Sequence, residues 1–128
     1  MNEIERITII KGIGQATEAC HAAAVAGGWW HDLATKARLN RNKGELLMLI
    51  VSEIAEAMEG VRKNKPDEHL PHRKSEEVEL ADALIRIFDY AGAHSLDLGA
   101  AMLEKMEYNA RRADHKPENR AKADGKKF

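Results

Sequence analysis

The sequence is short of most of the features that commit a chain to a special environment. It has one cysteine, Cys20, so no disulfide can form within the chain, and a reducing compartment is expected. Cys20 lies in an apolar helical stretch, where a small buried hydrophobe is the expected role. No unbroken apolar run exceeds Leu46 to Val51, far too short to span a bilayer. The first residues lack the basic-then-apolar pattern of a secretory signal, so a cytoplasmic location is expected. Only three prolines occur, and no segment alternates polar with apolar residues as a strand does. Charge of one sign is also lacking: 20 Lys plus Arg stand against 21 Asp plus Glu, a formal net charge of -1. Such a chain has no global attraction to a nucleic acid polymer or a membrane surface. An anionic ligand must then be held by a local site.

What is present reads as all-α, with 128 residues forming one domain (1–128). The spacing predicts a helix from about Glu3 to Ala26, ended by Gly27 and Gly28. A connector from Trp29 to Lys43 follows, with a short helical turn expected near Leu33 to Ala37. A second helix is expected from about Gly44 to Lys63. A loop marked by Pro66 and Pro71 leads to a third helix, capped by Ser75 and running to about Ala91. The last helix is expected from about Leu96 to Arg112, with core positions Met102, Leu103 and Met106. An irregular tail, about 113–128, completes the chain. Four helices on mostly short connections predict an antiparallel four-helix bundle. The second helix is apolar nearly all round between Leu46 and Val51, more than one small bundle covers, so self-association is expected.

The second helix also carries an anomaly. Residues three and four apart share a helix face, so Leu46, Leu49, Ile50 and Ala57 form an apolar stripe. Glu53 falls within it, and Glu56 follows three residues on. A carboxylate in a buried stripe is costly unless it is paired, protonated or bound to metal. The third helix carries a second pair, Glu79 and Asp82. Antiparallel packing of the two helices brings all four acids together. At an effective dielectric near 20, each close pair repels by roughly 3–4 kcal/mol at about 4–5 Å. Such a cluster calls for a cation. Oxygen-only ligands select hard ions, so Mg²⁺ is expected, with Mn²⁺ as the alternative. Di-iron bundles use Glu-x-x-His on two helices, and here Glu18 with His21 is the single instance.

"SEIAEAMEG" (52–60) followed by "EVELADALIRIFDYAG" (77–92) resembles the paired E-x-x-E and E-x-x-D signature of MazG-like all-α nucleoside triphosphate pyrophosphohydrolases. The resemblance extends through "EKMEYNARRADHKPENR" and covers roughly residues 40 to 128. It implies an oligomeric all-α fold, a dimer or tetramer. It also implies cleavage of a nucleoside triphosphate to monophosphate and pyrophosphate. Carried over by position, Glu53, Glu56, Glu79 and Asp82 bind Mg²⁺ and form the catalytic set. Lys105 and Asn109, with Arg112 beside them, contact phosphate or sugar. Arg86 stands where some relatives carry an aromatic residue, and either neutralises a carboxylate or touches phosphate. Trp29 and Trp30 are candidates to cover the nucleobase, one of them being expected in the core. A non-catalytic nucleotide-binding or assembly module is the alternative reading.

Overall fold

The computed structural model describes all 128 residues. Five α-helices and one 3-10 turn make up the regular structure, with no strand, so the chain is all-α. No helix is long and apolar enough to cross a membrane. Two compact units divide the chain, one formed by 1–14 with 97–128 and the other by 15–96.

Helix α1, Glu3–Ala26, begins and ends where expected, and runs through Gly12 and Gly14 without interruption. Its last half belongs to the 15–96 unit. In that unit α2 (Lys43–Lys63) and α3 (Ser75–Ala93) form the main packed pair. Asn42 caps α2 by accepting a hydrogen bond from the Glu45 N–H. Asn64 ends it in the left-handed conformation (φ 46°). The helices lie antiparallel, since Gly60 meets Ser75 while Glu53 meets Arg86 further along. The approach at Gly60 is close: a Cβ there would stand 2.6 Å from Ser75 Oγ. That contact explains a departure from the expected start of α3. Ser75 is buried as the first helical residue, and Lys74 occupies the cap position without a side-chain hydrogen bond.

The connector between α1 and α2 holds no helix. Its turn is closed by a bridge between His31 and Arg38, and the Asp32 carboxylate accepts from Ala34 N, Thr35 N and Thr35 Oγ1. These hydrogen bonds hold Asp32 below the usual carboxylate range. The loop from α2 to α3 is equally ordered. A bridge joins Pro66 to Lys74, and Asp67 is 6% exposed while accepting from His69 N at 2.9 Å and Leu70 N at 2.8 Å.

In the other unit, α4 (Leu98–Arg111) starts two residues later than expected because Asp97 is its cap, accepting from Ala100 N. Leu103 is the core residue of this helix; Met102 and Met106 are exposed instead of buried. The tail is structured where irregular chain was expected. A 3-10 turn (Ala113–His115) and the short helix α5 (Pro117–Arg120) fold it back, and the Arg120 guanidinium donates to the carbonyls of Lys126 and Lys127.

Of the stripe expected on α2, Leu49 is exposed and Ile50 half-buried, while Leu46, Glu53 and Ala57, together with Gly60, are covered. The rest of the apolar surface is not. Leu47, Val51, Ile54, Met58 and Val61, alternately four and three residues apart, are all exposed. That is the spacing of a coiled-coil seam.

Candidate metal centre and cleft

Helix α2 delivers Glu53 and Glu56, and α3 delivers Glu79. One carboxylate oxygen from each falls within 4.8 Å of the other two. Glu53 is only 8% exposed, Glu79 is half-buried and Glu56 is open to solvent. Burial, then hydrogen bonds to Glu53 and Glu56, and then their charges, push the Glu79 carboxyl from its ordinary 4.5 up to about 7. Without a cation the three acids therefore share a proton. The donor set consists of oxygens only, it converges, and burial together with the neighbouring acids favours the protonated form of Glu79. These features fit a hard divalent ion.

Asp82 lies one turn beyond Glu79 and outside this tight set. Burial, and next the charge of Glu53, raise its carboxyl above the usual range. Arg86 and His69 pull it the other way, and Asp67 adds to the rise. Arg86 supplies the positive charge at the centre: its Nε donates to Glu53 Oε1 at 2.7 Å.

Two clefts flank the carboxylates. One, of about 580 Å³, is lined by Glu53 and Asp82 together with Trp29, Leu49, Ile85, Arg41, Arg86 and Asp89. The second, about 280 Å³, contains Glu56, Glu79, Asp67, His69 and Lys65 among its walls. The two tryptophans separate cleanly. Trp29 is 66% exposed and lines the larger cleft. Trp30 is 2% exposed, and its ring N–H donates to Asp89 Oδ1 at 2.9 Å. Its ring is flanked edge-on by His21 and His94, and the guanidinium of Arg41 sits 5.1 Å from its centroid. Trp30 is thus a core residue that helps position Arg41, and has no free face for a base. Asp89 Oδ1 also lies 2.8 Å from His21 Nδ1, tying α1, the connector and α3 together.

Lys105, Asn109 and Arg112 belong to the other unit. Lys105 Nζ stands 4.6 Å from the centroid of the Tyr108 ring. Asn109 Oδ1 is buried without a hydrogen-bond partner. Arg112 is already engaged by Asp114, with contacts of 2.9 and 2.6 Å that raise the Arg112 pKa and lower that of Asp114.

Several site residues are not apparent from sequence reasoning. Asp67, His69 and Lys65 sit in what reads as a spacer loop. Its two prolines, bracketing Asp67 and His69, are the available signal. Asp89 continues the row of Glu79, Asp82 and Arg86 at helical spacing, which was a usable signal for Asp89. Comparison with family models, with curated proteins and with solved structures finds no match to this chain.

Proposed function

We propose that this protein is a metal-dependent nucleoside triphosphate pyrophosphohydrolase whose metal ligands are Glu53, Glu56 and Glu79. The observation that carries the reading is the convergence of those three oxygens within 4.8 Å, with burial and the neighbouring acids pushing the Glu79 carboxyl up to about 7. Bound Mg²⁺ (or Mn²⁺) would offset the charge of the triphosphate and polarise the phosphoryl group under attack. The rest of the chemistry falls to the chain. Trp29, Leu49 and Ile85 give the larger cleft an apolar wall suited to a nucleoside, since an aromatic face stacks on any base. Arg41, steadied over Trp30, offers a guanidinium to phosphate oxygens. Asp82, outside the tight set and with raised proton affinity, is assigned the proton of the attacking water. The resemblance of 52–60 and 77–92 to the MazG-like signature supports the same reaction.

Self-association belongs to this reading as well. The seam Leu47, Val51, Ile54, Met58 and Val61 is exposed along one face of α2, and a second copy is the proposed cover. The second functional reading is a nucleotide-binding module without turnover. It is favoured by the Arg86–Glu53 ion pair, which satisfies the most buried carboxylate of the three-acid set without any metal.

A pyrophosphate-release assay across canonical and modified nucleoside triphosphates separates the two. The proposal expects release with Mg²⁺ from at least one of them, and none with EDTA. Tight nucleotide binding with no release from any would leave the binding module standing and the enzyme refuted.

A further inference from the structure

We propose that Arg86 is a displaceable counter-ion: it holds Glu53 in the metal-free protein, and passes to the phosphate chain of the substrate when a divalent cation takes the carboxylates. This inference rests on the metal site of the proposed function and deepens it.

The ion pair is asymmetric. Glu53 has a side chain 11% exposed, whereas that of Arg86 is 42% exposed. The carboxylate is fixed in the α2–α3 seam, and the guanidinium is free to move. Contact is made through Nε alone, at 2.7 Å. A guanidinium has five N–H donors in a planar fork that suits phosphate oxygens two at a time. Single-point attachment leaves four of them without a protein acceptor. Arg86 therefore spends little of its bonding capacity on Glu53.

Its place in the site gives it somewhere to go. Arg86 and Glu53 line the same cleft as Arg41 and Trp29. The groups facing Arg86 there are the carboxylates Glu53, Asp82 and Asp89 and the guanidinium of Arg41. A dication bound by Glu53, Glu56 and Glu79 would stand beside the Arg86 charge and repel it. A triphosphate held by that dication brings anionic oxygens into the same cleft. Metal and substrate together thus reverse the preference of Arg86, from carboxylate to phosphate. Metal alone meets resistance, because Arg86 competes for Glu53.

The experiment measures Mn²⁺ affinity by electron paramagnetic resonance, and then the affinity of inorganic tripolyphosphate for the Mn²⁺-loaded chain by calorimetry. Tripolyphosphate supplies the phosphate chain without any base preference. Wild type, Arg86→Gln and Arg86→Lys are compared, none of which needs turnover. Exchange predicts that Arg86→Gln binds Mn²⁺ about three- to tenfold more tightly, as loss of a partly exposed ion pair implies. It also predicts that the same variant binds tripolyphosphate about tenfold more weakly, with Arg86→Lys closer to wild type in both assays. Mn²⁺ affinity in Arg86→Gln equal to or below that of wild type overturns the exchange, while leaving the metal site intact. Failure of both wild type and Arg86→Gln to bind Mn²⁺ refutes the metal site itself, and with it the proposed function.

Discussion

Replacing Glu79 by Gln in the metal-free protein isolates the electrostatics of the carboxylate cluster. The Glu79 carboxyl titrates near 7 in the folded chain and near 4.5 when unperturbed. Below 4.5 it is protonated in both folded and unfolded chains, and it contributes no pH dependence. Between 4.5 and 7 the folded chain binds the extra proton, so stability falls as pH rises. Above 7 the loss is complete. A separation of 2.5 pH units corresponds to about 3.4 kcal/mol at most. Glu79 is half-buried and Glu56 is open to water, and solvent screening reduces the figure to about 1–2 kcal/mol. Glu79→Gln keeps the hydrogen-bonding shape and removes the charge. In EDTA at pH 8 it should therefore melt higher than wild type by roughly 4–8 °C for a domain of this size. At pH 4.5 the difference should vanish. Scanning calorimetry at the two pH values is the assay. Adding Mg²⁺ should raise the wild-type melting temperature and leave the variant nearly unmoved. A variant that melts lower than wild type at pH 8 without metal would refute the account of a mutually repelling cluster, and would make Glu79 a structural residue.

Four further outcomes are expected. Asp82→Asn should lower kcat by at least about 100-fold while Mn²⁺ affinity stays within a few-fold, because Asp82 accepts a proton outside the tight ligand set; lost metal binding would make it a ligand. Gly60→Ala should destabilise by about 1–3 kcal/mol in chemical denaturation, since its Cβ would press on buried Ser75 more than helix propensity gains. Val51→Glu together with Met58→Glu should reduce the mass from light scattering to that of a monomer, 14.3 kDa, from a multiple of it in wild type; a monomeric wild type contradicts the seam. Lys105→Ala should lower kcat more than it raises KM and leave the melting temperature unchanged; wild-type kinetics would reduce Lys105 to the surface partner of Tyr108.

The parts of this site that were legible in sequence are those fixed by helical period. Glu53 stood out because a carboxylate at i+7 from Leu46 and i−4 from Ala57 must share their buried face, and it does. Glu79 was legible for the same reason, as one member of an i, i+3 pair. Residues three apart are offset around the helix by roughly 60°. That offset does not decide membership by itself, since Glu53 and Glu56 carry it too and both join the tight set, whereas Asp82 falls outside it. The carboxylates of the α2–α3 loop were hidden. Asp67 is buried by accepting two backbone N–H groups and by the bridge that closes Pro66 on Lys74, neither of which has a periodic signature. Trp29 and Trp30 are adjacent in a connector without regular structure, so no periodicity says which one turns inward. The partner of Trp30 is Asp89, 59 positions away. In the other unit, Met102 and Met106 pass for core by composition, yet Leu103 alone is sealed.

In the proposed reaction, three carboxylates on α2 and α3 hold a metal for cleavage of the bond between the α and β phosphates. Phosphorus NMR of the reaction with Mg²⁺, run beside a Glu56→Gln control, tests it most directly. Glu56 is the exposed member of the set, so its loss disturbs folding least. Nucleoside monophosphate and pyrophosphate should be the first products in wild type, with no products above background in the control. Nucleoside diphosphate with orthophosphate, or turnover undiminished in Glu56→Gln, would contradict it.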